Sequence, residues 1–191
     1  ATSRVEWEKG SLLDVPFERL ELGLKLVARQ LEIDRFSVDS SLGKLEGSGA
    51  IDLREAFPSG LGFNGRNLDK LAYRLKFRME QVPLEGILSG KHGYQGKLES
   101  EIKIDGRGFR PGDANTEVNL TLKGNGIRAP GMSRPVDIQA RVDASIQGSA
   151  AEIREARVEG EGLLLAGRAG YDFSSERLAG KLKLDSSDLA G

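Results

Sequence analysis

The sequence contains no cysteine, one histidine and one tryptophan in 191 residues. Without cysteine the chain forms no disulfide, holds no zinc through thiolates and has no cysteine nucleophile. The single histidine, His92, excludes metal sites and catalysis that need several histidines. His92 lies in the glycine-flanked segment 90–93, a context that indicates a solvated loop residue rather than a general base. We therefore expect neither a metal site nor a cofactor.

An excess of one charge and long apolar segments are also missing. The chain has 28 Lys and Arg against 29 Asp and Glu, a formal net charge of −1, which excludes a nucleic-acid binder that works by bulk phosphate neutralisation. No run of about 18 apolar residues is present for a membrane-spanning helix. Residues 1–10 lack the apolar stretch of a signal peptide. Because the sequence stops directly after a predicted strand, we interpret it as a piece of a longer protein.

Glycine is the residue in excess. The chain has 25 glycines in 191 residues, about 13% against an average near 7%. They are spread along the whole chain between short apolar runs, which indicates many tight turns or bulges and hence many strands.

Apolar and polar residues alternate between these glycines, as in strands with one apolar and one polar face. The runs with this pattern are residues 20–26, 73–79, 98–104, 118–122, 136–146, 163–173 and 182–184. One-sided alternation predicts an antiparallel sheet. Helical patterns are confined to the short segments 53–57 and 65–72, too little to cover a sheet of about a dozen strands.

A sheet without covering helices closes into a barrel, folds into a sandwich or leaves its apolar face open as a groove. In an open groove, the small residues Gly47, Gly49, Gly167, Ala140 and Ala144 are expected to keep the interior unfilled. The candidate lining residues are the aliphatic and aromatic members of the alternating runs. They are Leu22, Leu24, Ile33, Leu45, Leu75, Phe77, Ile102, Ile104, Leu120, Leu122, Ile138, Val142, Leu165, Tyr171 and Phe173.

Residues 31–53 and 151–173 form an internal repeat at an offset of 120 residues without a gap. Ile33 matches Ile153, and Val38 matches Val158. The alternation slips by one residue at the same place in both copies, which predicts a shared bulge. We treat residues 1–191 as one domain that contains two such units.

The unit Gly-Lys-Leu-Glu-Gly-Ser-Gly-Ala-Ile-Asp-Leu at 43–53 resembles the AsmA-like and TamB-like proteins of Gram-negative bacteria. Gly-Arg-Ala-Gly-Tyr-Asp-Phe at 167–173 repeats that unit, and the segment 178–190 resembles the strand that follows it in the family. The segment 81–88 is also similar to a segment of these proteins, except that Pro83 stands where the family pattern has an aspartate. Type II secretion N-type proteins are similar to the same family.

The resemblance implies an all-β, elongated and curled antiparallel sheet (a half-pipe, or β-taco) with an apolar inner groove. It implies a periplasmic segment of a protein anchored in the inner membrane outside this piece. The expected function is non-enzymatic: to shield phospholipid acyl chains during transport between the inner and outer membranes.

An assembly or chaperone module is the alternative. Here the sheet edges, rather than the groove, bind an outer-membrane client or an Omp85-type outer-membrane partner by strand addition. An enzyme on a β-scaffold is disfavoured, because the sequence has one loop histidine and no nucleophile-elbow motif.

Overall fold

A computed structural model describes residues 1–12, 15–58, 65–88, 93–109 and 112–186. Eleven strands, β1 to β11, make up most of this part of the chain. Their bounds are Thr2–Leu12, Val15–Val27, Gln30–Ser40, Gly43–Asp52, Ala72–Pro83, Gln95–Arg107, Asn115–Arg128, Val136–Gln147, Ala150–Gly160, Leu163–Asp172 and Arg177–Ser186.

All eleven strands form one antiparallel sheet in chain order, from β1 at one edge to β11 at the other. The sheet is curled but not closed, which confirms the predicted fold class. Each strand makes its main contacts with its neighbours in the chain, so the described strands build neither a barrel nor a two-layer sandwich. The accessible surface is 12918 Å², whereas a compact monomer of this mass exposes about 8,900 Å². The fold is an extended sheet with unusually little buried interior.

Two-residue hairpins account for the simple strand order. Ala28 and Arg29 join β2 to β3 with φ of 48° and 63°, the left-handed pair of a hairpin turn that matches strand twist. Gly148, with φ of 57°, begins the equivalent turn between β8 and β9.

Among the described residues, helix is confined to two short segments. A 3-10 helix spans Gly65–Lys70 and departs from helical geometry at Asn67, within the predicted segment 65–72. Residues 53–57 form a single turn, in which the Phe57 N–H donates to the Leu53 carbonyl over 2.9 Å. Helix α1, Leu84–Ile87, follows Pro83 and was not predicted from the sequence.

The predicted slip in the alternation is present in both copies. The pairing of β3 with β4 shifts between Ile33 and Phe36, and the pairing of β9 with β10 shifts at residues 153–156. Both strands therefore carry a bulge at the same point of the 120-residue offset. The bulge returns Phe36 to the face that carries Ile33.

Candidate functional site

The register places the apolar side chains of all eleven strands on one face, which we call the apolar face. Residues paired directly across antiparallel strands lie on the same face, so rows of paired residues run across the sheet. The central row, from β1 to β11, is Val5, Leu22, Phe36, Gly47, Phe77, Ile102, Leu120, Val142, Ala156, Gly167 and Leu182.

Two further rows flank the central row. One contains Leu24, Ile33, Gly49, Leu75, Ile104, Val118, Ala144, Ile153 and Ala169. The other contains Trp7, Leu20, Val38, Leu45, Met79, Ser100, Leu122, Ala140, Val158, Leu165 and Leu184.

Of the predicted lining residues, all except Phe173 are brought to the apolar face by this register. Twelve belong to the three rows, while Ile138 and Tyr171 lie in the rows beyond them. Phe173 follows the last residue of β10, and its ring lies edge-on to that of Tyr171 with 5.1 Å between centroids. The predicted lining residues did not include Phe36 and Val38. Both follow the bulge in β3, where the alternation of apolar and polar residues resumes, so the sequence pattern could have identified them.

No described segment covers the apolar face as a second layer. Most of its side chains are half-buried, and no side chain in the described part of the chain is fully buried. Adjacent strands lie about 4.8 Å apart, so eleven strands extend the face about 48 Å along the curled sheet. The result is a long apolar groove that runs across the strands.

The glycines of the groove do not leave it unfilled, so that part of the prediction is wrong. A Cβ placed on Gly47 lies 2.8 Å from the Phe77 ring and 3.1 Å from the Phe36 ring. A Cβ on Gly167 lies 3.0 Å from the Leu182 side chain. Large side chains of neighbouring strands occupy the space over these glycines, as aromatic residues do over strand glycines elsewhere. These side chains limit the depth of the groove in its central row.

Polar atoms interrupt the apolar face at two places. The Tyr73 hydroxyl lies 2.7 Å from Thr116 Oγ1 and donates to the Gly108 carbonyl over 3.2 Å, while its ring stacks on Phe109. This cluster lies along one side of the groove, at the strand ends of β5, β6 and β7. Ser100, between Met79 and Leu122, is buried, and its Oγ has no hydrogen-bond partner among the described residues.

The opposite face carries the charges. The cations Arg74, Lys76 and Arg78 of β5 form a strip on that face. Each is ion-paired: Arg74 with Asp105 at 2.6 Å, Lys76 with Glu101 at 2.9 Å and Arg78 with Glu80 at 3.0 Å. Because an acidic side chain neutralises each cation, the strip is not a free basic surface.

Glu101 shows the strength of this pairing. Hydrogen bonds from Lys76, and then from Lys103, lower the pKa of Glu101 from 4.5 to about 2. These bonds favour the ionised carboxylate, so β5 and β6 are joined by fixed charges on the face opposite the groove.

A second charge cluster joins the first three strands. Glu21 of β2 is only 6% exposed, and its carboxylate lies 3.3 Å from Arg4 of β1, 2.9 Å from Arg19 and 2.8 Å from Arg35 of β3. The three arginines are themselves half exposed or more, and Arg4 and Arg19 also lie 3.5 and 3.2 Å from Glu6 of β1. This contact ties the edge strand β1 to the sheet.

Among the described residues, no group of three or more His, Cys, Asp or Glu side chains is arranged to hold a metal ion. His92 lies outside the described residues. No helix in this part of the chain is long and apolar enough to cross a membrane. No family model, curated protein or solved structure matches the chain. The resemblance to AsmA-like proteins stays a prediction.

Proposed function

We propose that this chain is a non-enzymatic segment that shields lipid acyl chains in the apolar groove of its curled sheet. In this proposal it works in the periplasm, as part of a protein anchored in the inner membrane, during phospholipid transport to or from the outer membrane. The motifs at 43–53 and 167–173, which resemble AsmA-like and TamB-like proteins, support the cellular setting.

The observation that carries the proposal is the unbroken apolar central row on an uncovered face. From Leu22 on β2 to Val142 on β8, each position of the central row is apolar or glycine. Monomeric soluble proteins rarely expose contiguous apolar patches larger than a few hundred Å², and larger patches mark binding surfaces. Fixed charges on the opposite face keep that face in water.

The energetics suit an acyl chain better than a compact ligand. Each methylene removed from water contributes about 0.8 kcal/mol, so ten methylenes buried on one side only contribute about 4 kcal/mol. A groove of about 48 Å is longer than the hydrocarbon core of a bilayer, about 30 Å. Such a surface can hold acyl chains at successive positions along its length without one specific pocket. A lipid conduit requires this property.

The test is lipid binding by two variants that add the same charge to opposite faces of β8. Val142→Lys places an ammonium group in the groove, whereas Gln139→Lys places it on the charged face, where its neighbour on β9 is Glu159. A fluorescent phospholipid is titrated into each delipidated protein, and circular dichroism checks that the sheet is retained. We expect Val142→Lys to weaken binding at least about tenfold and Gln139→Lys to leave it unchanged. Equal binding by both folded variants contradicts the proposal.

Assembly of outer-membrane proteins is the second candidate function. The observation that favours it is that β1 and β11 each lack a described strand partner on one side. Such edges accept extended polypeptides by strand addition. Photo-crosslinks from edge positions to a client or to an Omp85-type partner, with none from the groove to lipid, would favour this candidate over lipid transport.

A further inference from the structure

One hydroxyl interrupts the floor of the apolar groove. In the row of paired residues from Trp7 to Leu184, Ser100 of β6 is the only member with a hydroxyl, amide or charged side chain. Its partners in the row are Met79 of β5 and Leu122 of β7. The apolar register of the sheet gives no reason for a polar side chain at this position.

The Ser100 hydroxyl is buried without a partner. The residue is 7% exposed, and its Oγ has no hydrogen-bond partner among the described residues. By contrast, the two other hydroxyls on this face, of Tyr73 and Thr116, bind each other over 2.7 Å. A buried hydroxyl that stays unsatisfied destabilises the fold, whereas alanine at the same position does not have that cost. Such a group needs an explanation outside the folded chain itself.

Ser100 lies at the base of a dip between longer side chains. Directly paired residues have Cβ atoms about 4.5–5.5 Å apart, so the side chains of Met79 and Leu122 rise on either side of the hydroxyl. Both are only half-buried. Because methionine is unbranched and adaptable, rotation of the Met79 side chain opens the hydroxyl to a molecule that lies in the groove.

The surroundings of Ser100 define the chemistry of its partner. Its neighbours on the apolar face are Met79, Leu122 and, along β6, Leu98 and Ile102, and none of them carries a charge. A carboxylate or phosphate bound here would be a buried charge without a counter-ion, which is costly. A serine hydroxyl donates equally well to a neutral oxygen. An ester carbonyl is such an oxygen, and it is attached directly to an acyl chain.

We propose that Ser100 donates a hydrogen bond to an ester carbonyl of the lipid in the groove, and that it thereby selects acyl esters over ether-linked chains. This inference rests on the proposed lipid-binding function. The hydrogen bond gives an otherwise uniform apolar surface one preferred position for the ester, on the sixth of eleven strands. The acyl chain itself is held by apolar contacts on either side of that position.

The first experiment compares two phospholipids that differ only in their linkage. One is a diacyl phosphatidylcholine, and the other is its dialkyl ether analogue with the same chain lengths, headgroup and fluorescent label. Each is titrated into delipidated protein. The unmodified chain should bind the ester form at least about threefold more tightly, and Ser100→Ala should bind both forms equally. Equal affinities in the unmodified chain, or an ester preference retained by Ser100→Ala, overturn the inference.

Ser145→Ala is the matched control. Ser145 of β8 is 5% exposed, but it lies on the charged face between Glu117 and Glu152. This variant should keep the ester preference, and its loss there would show that the effect does not come from the groove. An unmodified chain that binds neither lipid contradicts the lipid-groove function as well, whereas equal binding of both lipids contradicts only the role of Ser100.

Unfolding in the absence of lipid is a second readout, independent of binding. Because Ser100→Ala removes an unsatisfied hydroxyl, its urea midpoint should equal or exceed that of the unmodified chain. A hydroxyl that serves the fold would have the opposite effect. A clear fall in the midpoint of Ser100→Ala, with the sheet retained by circular dichroism, therefore overturns the assignment of this hydroxyl to a ligand.

Discussion

Gly47 of β4 lies beneath the ring of Phe77, its direct partner on β5. The Phe36 ring approaches the same glycine from β3, and the two rings meet edge-on with 6.2 Å between centroids. This arrangement gives the groove a packed floor at a point where the sequence predicted free space.

Gly47→Ala should lower the free energy of unfolding by about 1–3 kcal/mol, because its Cβ forces the Phe77 ring to move. Gly170→Ala is the matched control, since the nearest atom to a Cβ there is the Ala151 carbonyl oxygen at 3.9 Å. That variant should be neutral or more stable by about 0.4–1 kcal/mol. Urea denaturation followed by circular dichroism measures both, and an equal loss in the two variants would contradict this packing.

Tyr73→Phe should destabilise the side of the groove formed by the strand ends of β5, β6 and β7. Removing the hydroxyl leaves Thr116 Oγ1, which is buried, without its 2.7 Å partner. An unsatisfied buried hydroxyl costs about 1–3 kcal/mol. Tyr171→Phe is the control, because the Tyr171 hydroxyl has no hydrogen-bond partner among the described residues. Thermal unfolding should separate the two variants, and a similar midpoint for both would show that the Tyr73 bond contributes little.

Glu21→Gln should loosen the β1 edge. The neutral amide removes the charge that Arg4, Arg19 and Arg35 surround, and leaves Glu6 as the acid beside Arg4 and Arg19. Because the three arginines are half exposed or more, solvent screens them, and the expected loss is about 1–2 kcal/mol. Hydrogen exchange of the β1 amides should accelerate. Glu8→Gln is the control on β1, and slow exchange retained in Glu21→Gln would contradict the role of the cluster.

The ionisation of Glu101 predicts a pH dependence. Its folded-state pKa, about 2, lies below the ordinary value of 4.5. The stabilisation from the ionised carboxylate is therefore fully present above about pH 4.5 and is lost as the pH falls from there through 2. Carboxyl NMR titration should show the low midpoint. Lys76→Gln should raise it towards 4.5 and Lys123→Gln should not; an ordinary midpoint in the unmodified chain would contradict the pairing.

The period-two alternation was sufficient to predict most of the strands and their antiparallel pairing, because one-sided burial leaves that pattern in each strand. The curled sheet was implied only by the resemblance to AsmA-like and TamB-like proteins. The shared slip after Ile33 and Ile153 located both bulges. The sequence alone left barrel, sandwich and open sheet as alternatives, since all three have the same alternation. The sequence did not predict that side chains occupy the space over Gly47, because this depends on which residue of β5 pairs with Gly47 of β4. Similarly, the pairing of Arg74 with Asp105 and of Lys76 with Glu101 depends on how β5 is aligned with β6.

The lipid-groove function requires that acyl chains contact the apolar face and not the charged face. Photo-reactive residues at 118 to 123 on β7 test it, because Val118, Leu120 and Leu122 face the groove while Asn119, Thr121 and Lys123 face away. In cells, or with phospholipid vesicles, crosslinking to lipid should alternate along the strand, strong at 118, 120 and 122 and weak between them. Uniform yields, or the absence of lipid adducts at all six positions in the folded protein, would contradict the account.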